Sequence, residues 1–175
     1  MNSTAIKIVL VDDEVAVLHA VRRIFGSSQI VDLICVQDPF EAMKIVAEQD
    51  VGLVISDQRM PGMTGLEFLA WVNATHPDII KIIMTGDTDI QTAVQAINDI
   101  GVYKFIRKPW DNDDLYWTVI RALEMVQMRR KNQELQSELD KKDQCLRRYE
   151  RLYPGITSVD RDTDGAIVID EDFQV

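Results

Sequence analysis

Residues 53–65 read Leu-Val-Ile-Ser-Asp-Gln-Arg-Met-Pro-Gly-Met-Thr-Gly. An apolar run stops abruptly at an acid, and a loop rich in Gly and Pro follows. A short run that is apolar without alternation fits a strand covered on both faces. The same pattern recurs three times: Ile8-Val9-Leu10-Val11 ends at Asp12-Asp13, Ile79–Met84 at Thr85-Gly86, and Val102–Ile106 at Arg107-Lys108-Pro109. If all four runs are parallel strands, acids, a hydroxyl and an amine meet at one sheet edge. In open α/β sheets, ligands bind at that carboxyl edge. Three neighbouring carboxylates need a divalent cation to coexist, and an amine and a hydroxyl facing them suit a phosphoryl group. The expected site handles phosphate.

Helical patterns alternate with the strands, which are expected at Ile6–Val11, Val31–Val36, Leu53–Ser56, Ile80–Thr85 and Tyr103–Ile106. Val15, Leu18, Val21, Arg22 and Phe25 trace one helix stripe, with Gly26 as its stop. Asp38-Pro39 suits the cap and first turn of a second helix. Leu66–Val72 is a third, Ile90, Ala93, Val94 and Ile97 line a fourth, and Asp111 can cap a fifth. Five βα units with short connections predict an α/β fold, a doubly wound five-stranded parallel sheet.

Four elements in order on strand ends form a specific combination: the acidic Val11-Asp12-Asp13-Glu14, Asp57 with Met60-Pro61-Gly62-Met63-Thr64-Gly65, Thr85-Gly86, and Lys108-Pro109. Over about 120 of the 175 residues they resemble the receiver domain of bacterial two-component response regulators. The resemblance implies a flavodoxin-like strand order 2-1-3-4-5. It implies that Asp57 is the phosphoacceptor, and that Mg²⁺ is held by Asp12, Asp13, Asp57 and the backbone carbonyl of Arg59. Lys108, Thr85 and Gly86 would bind the phosphoryl group, and Thr85 and Phe105 would carry the switch. In this reading Tyr103 serves as packing, the Arg59 side chain pairs with Asp87 or stays a solvated surface group, and a cis peptide precedes Pro109. Its partners would be a histidine kinase or phosphotransfer protein and a downstream protein. The expected role is a signalling switch rather than an enzyme. The alternative is the regulatory part of a larger effector, with a cyclic-di-nucleotide phosphodiesterase, phosphatase or transcriptional regulator as output.

Composition adds exclusions. The chain carries 19 basic and 29 acidic residues, a net charge of −10, which argues against binding a phosphate backbone. No recognition-helix motif for nucleic acid is seen, and no membrane span or signal peptide is expected. Two cysteines do not suggest a disulfide framework, so a cytoplasmic location is expected.

The sequence divides into a receiver at 1–124, a coiled-coil helix at 125–153 that continues the fifth receiver helix, and an acidic tail at 154–175. No Gly or Pro interrupts the helical pattern before Pro154-Gly155. Met125, Asn132, Leu139, Leu146 and Tyr153 repeat at one heptad position, and Met128, Leu135, Lys142 and Tyr149 at the other. Asn132 sits where a buried polar residue fixes register in parallel dimers. A homodimer through this seam is the expectation; a single amphipathic helix folded back on its own domain is the alternative. Lys142 in the seam and Glu138 opposite Asp143 weigh against the dimer. The tail 160–171 fits calcium-loop spacing, but Pro154-Gly155 and the lack of room for a second helix before residue 175 speak against that use. An Asp164-Gly165 hairpin turn between β-branched runs is preferred.

Overall fold

The structure is a computed structural model, and it describes residues 5–86 and 100–154. Five strands alternate with helices in the order β1 (Ile6–Val11), α1 (Val15–Phe25), β2 (Val31–Val36), α2 (Pro39–Glu48), β3 (Val51–Asp57), α3 (Gly65–Thr75), β4 (Ile80–Thr85), β5 (Lys104–Arg107) and a C-terminal helix (Asn112–Leu152). The fourth-helix pattern at Ile90–Ile97, Asp87, and the tail hairpin or calcium loop at 156–171 lie outside the described residues.

All strand pairs are parallel, and the spatial order is β2-β1-β3-β4-β5, as the resemblance implies. The period of two in a strand sends alternate side chains to opposite faces. Ile8, Leu10, Leu53, Ile55, Ile82 and Met84 join one core with Leu18, Val21 and Phe25 of α1 and Leu115, Val119 and Leu123 of the C-terminal helix. Val9, Val11, Val54 and Ile83 join the other with Ala42 and Val46 of α2 and Phe68, Leu69 and Val72 of α3. Every residue of β3 is buried, which explains why its sequence is apolar without alternation.

Two details depart from the sequence reading. In α1 the buried stripe is Val17, Leu18, Val21 and Phe25, whereas Val15 is exposed. The buried positions 17, 18, 21 and 25 keep helical spacing, and Val15 and Arg22 lie off that face. Strand β3 begins at Val51 rather than Leu53, since Gly52 lies at an irregularity in the register with β1. A Cβ there would come within 2.5 Å of Ile6 Cγ2 and 3.0 Å of Val126 Cγ1, so the missing side chain lets β3 continue through the crowded point.

The C-terminal helix has 41 residues, hence a length of about 60 Å. Asp111 caps it by accepting from the backbone N–H groups of Asp113 (2.9 Å) and Asp114 (3.0 Å). Its last buried residue is Val126. Within residues 129–152, Leu135, Leu139, Leu146 and Tyr149 are exposed, and a Lys131–Glu134 pair lies along the surface. Among the described residues, no helix is long and apolar enough to cross a membrane.

Candidate functional site

Strand register aligns the four polar ends. Val11 lies opposite Ser56, Asp57 opposite Met84, and Thr85 opposite Arg107. Asp12, Asp57, Thr85 and Lys108 therefore emerge together at the carboxyl edge. Main-chain bonds tie the strand ends to one another: Asp12 N–H donates to Val36 O, Gln58 N–H to Met84 O and Lys108 N–H to Thr85 O.

Asp12 and Asp57 are both buried, Asp12 completely. They share one cation. Lys108 Nζ lies 2.7 Å from Asp12 Oδ2 and 2.5 Å from Asp57 Oδ1. The remaining oxygens accept from backbone: Asp12 Oδ1 from Glu14 N–H at 3.0 Å and Asp57 Oδ2 from Arg59 N–H at 2.5 Å. Buried charges survive only when paired and hydrogen-bonded in this way. Burial nevertheless pushes the Asp12 carboxyl above its ordinary pKa, and the Lys108 and Glu14 bonds offset that only in part. Burial acts against the Lys108 ammonium too, but its two carboxylate partners together outweigh it and hold its pKa above the ordinary lysine value.

The other expected residues are placed unevenly. Asp13 is exposed on the loop after β1, and its carbonyl accepts from Gln37 Nε2 at 3.0 Å. Among the described residues, no three acids, histidines or cysteines converge closely enough to hold a metal ion. Asp12 and Asp57 are thus brought together and Asp13 is not. The donor set still suits Mg²⁺ chemically: two buried carboxylates come together at the edge, and hard oxygen ligands are what this ion selects. The Thr85 residue is buried, and its hydroxyl donates to Gly86 O at 3.1 Å rather than to either acid. The Arg59 side chain reaches toward Gly86: a methyl on Gly86 would stand 3.5 Å from Arg59 Nη2. Phe105 is half-buried against the α2/α3 core. Tyr103, expected as packing, instead precedes β5 and is exposed, because the edge strand starts one residue later than expected. The Lys108-Pro109 peptide is cis, as expected.

The loop after Asp57 contains residues to which the sequence reading gave no role. Gln58 clamps the start of α3, with its carbonyl accepting from Gly65 N–H (3.0 Å) and its side-chain oxygen from Leu66 N–H (3.2 Å). A Cβ on Gly65 would collide with the Asp57 carbonyl, so only glycine lets the helix start so close to the end of β3. Thr64 and Glu67 form a capping box. Its Thr-x-x-Glu signature was present in the sequence. Glu14, 3.7 Å from Lys108 through Oε1, has no such signature, because the contact spans 94 residues of chain.

Comparison with known proteins agrees with this geometry. The family model described as the response regulator receiver domain matches residues 8–120. The hydrogenase transcriptional regulatory protein HoxA of Cupriavidus necator is 36% identical over 124 residues, covering 71% of this chain and 25% of HoxA. A putative NtrX-like response regulator of Rickettsia bellii is 33% identical over 143 residues, 81% of this chain and 30% of that protein. The signal receiver domain of an HD domain-containing protein from Pseudomonas fluorescens Pf-5 superimposes with a TM-score of 0.69 at 30% identity, covering 73% of this chain and 93% of that one. The chain thus spans only about a quarter to a third of the length of the two sequence relatives. Sheet order, the acid–lysine edge and the matched span agree that this chain belongs to the response regulator receiver domain family.

Proposed function

We propose that the chain is a phosphorelay receiver that accepts a phosphoryl group on Asp57. One observation supports this most: a buried carboxylate at a strand end shares a lysine ammonium with a second buried carboxylate. In the proposed transfer, a carboxylate oxygen of Asp57 attacks the phosphorus of a phosphohistidine on a partner kinase or phosphotransfer protein. The P–N bond breaks, and the imidazole leaves with the electron pair. Lys108 supplies fixed positive charge to the phosphoryl oxygens, and Gly86 leaves room beside them. Asp12, Asp13, Asp57 and the Arg59 carbonyl would hold Mg²⁺, which neutralises the transferring oxygens when bound. The Thr85 hydroxyl, turned to Gly86 O here, would rotate to the phosphoryl group, and Phe105 would move with it.

In this reading the chain works in the cytoplasm as a switch and not as an enzyme in its own right. It dimerises in parallel through Met125, Met128, Asn132, Leu135, Leu139, Leu146 and Tyr149 and binds no nucleic acid directly. The heptad spacing and exposure of Leu135, Leu139, Leu146 and Tyr149 support the seam. The larger-effector reading draws on a different fact, the small share of HoxA and NtrX-like protein that the chain spans. The test is incubation with acetyl phosphate and Mg²⁺, followed by intact-mass measurement. Wild type should gain one phosphoryl group and Asp57→Asn none. Labelling of Asp57→Asn at the wild-type rate would remove Asp57 from the role.

A further inference from the structure

We propose that Glu14 is a specificity-determining residue of this site, screening phosphoryl donors by their charge. The inference rests on Asp57 being the acceptor. Glu14 is the residue before α1, yet its side chain makes no capping bond. Its side chain instead extends to Lys108, with Oε1 3.7 Å from Nζ, and is 65% exposed. Its backbone N–H holds Asp12 Oδ1. One residue therefore orients a buried acid from its main chain and places a carboxylate at the solvent side of the lysine.

That placement decides what the carboxylate can do. An exposed pair at this separation adds little to stability. A full negative charge beside the ammonium that must meet an incoming phosphoryl group has a larger consequence for an anionic donor, which approaches through water and meets Glu14 first. Lys108 is already shared by Asp12 and Asp57, so Glu14 adds to the mouth a negative charge that this lysine does not cancel. The repulsion scales with donor charge. Acetyl phosphate is mainly a dianion at neutral pH, whereas phosphoramidate is a zwitterion of net charge about −1. With the first, the P–O bond to acetate breaks as Asp57 Oδ bonds to phosphorus, and acetate leaves with the electron pair. With the second, the P–N bond breaks and ammonia leaves, keeping its protons. A phosphohistidine presented by a protein surface brings its own surroundings and can offset the screen, so Glu14 would disfavour small free donors against a docked partner.

The experiment measures labelling rates of the full chain with both donors, at saturating Mg²⁺ and at low and high ionic strength. Wild type, Glu14→Gln, Glu14→Asp and Asp57→Asn are compared. Glu14→Gln should speed labelling by acetyl phosphate about two- to fivefold, the range of one exposed charge interaction. Its gain with phosphoramidate should be smaller. Both gains should shrink at high salt, where exposed charges are screened beyond about 3–10 Å. Glu14→Asp, which keeps the charge, should stay nearer wild type. A purely structural role for Glu14 would change both donors alike and would not respond to salt. Equal effects on the two donors, or none, overturn the proposal while leaving Asp57 as acceptor. Labelling of Asp57→Asn at the wild-type rate overturns the acceptor assignment and this proposal with it.

Discussion

Replacing Lys108 by Met tests the electrostatic argument most directly, because Met keeps the length of the side chain and removes its charge. The lysine side chain is 17% exposed, and its partners Asp12 and Asp57 are 0% and 8% exposed through their side chains. Removing one partner of a buried ion pair costs ~3–5 kcal/mol. Here the lower end applies, since each acid keeps a backbone N–H bond to its second oxygen. A loss of about 3 kcal/mol would lower the melting temperature of a domain this size by roughly 10 °C. The pH dependence has a definite sign. Burial already raises the Asp12 pKa, and losing Lys108 removes its largest offset. A carboxylate whose folded pKa exceeds its unfolded value penalises the folded state fully above the folded pKa, and the penalty shrinks as pH falls toward the unfolded value. The deficit of Lys108→Met should therefore be greatest at neutral pH and narrow on acidification. In wild type, the raised Lys108 pKa means its stabilisation persists at neutral pH and is lost only as pH rises through the folded value, above the ordinary lysine range. Urea unfolding in EDTA from pH 5 to 8 measures the deficit of the variant and its narrowing on acidification. A variant within about 0.5 kcal/mol of wild type at pH 7.5, or a gap that widens on acidification, refutes the reasoning; such a result would sit in the ordinary range of a surface change.

Gly65→Ala should cost about 1–3 kcal/mol by overpacking against the Asp57 carbonyl and should slow acetyl-phosphate labelling, both readable on one preparation by unfolding and intact mass; an unchanged Tm and rate would show that the loop yields freely. Truncation after Met128 should give a monomer by light scattering that is labelled at the full-length rate, whereas truncation after Glu124 also removes Val126 from the core and should lower stability by roughly 1.5–3 kcal/mol. A full-length chain that is monomeric at tens of micromolar would end the seam reading.

Features set by local chemistry were legible in the sequence. Strands β1, β2 and β4 span the residues expected of them; in β1 and β4 burial on both faces demands a mainly apolar sequence, while β2 lies at the sheet edge and is largely half-buried. The caps at Asp38 and Asp111 follow from short-range side-chain geometry. Features that depend on distant contacts were not. Lys81 lies inside the run read as apolar and is 3% exposed, bonded through Nζ to Asn73 Oδ1 of α3 at 2.7 Å; a strand period cannot reveal that a polar partner waits on the facing helix. The sharing of Lys108 by Asp12 and Asp57 crosses 96 residues in one direction and 51 in the other. The motif brings these residues to one edge, but only the fold decides which acid each ammonium proton meets.

Elsewhere most of the described sheet follows the ordinary rules of burial, with apolar strands and glycine where a side chain would clash. The carboxyl edge breaks them by burying two acids against one amine. A sequence under pressure for stability alone would replace such an arrangement, since an apolar trio of similar volume is often as stable or more so. Its presence at the one edge where strand ends and helix starts converge is what an exception kept for function looks like. A carboxylate proposed as a phosphoacceptor has to be oriented by its neighbours and to sit beside a positive charge. Asp57, with one oxygen on Lys108 and the other on the Arg59 N–H, has both within a single side chain.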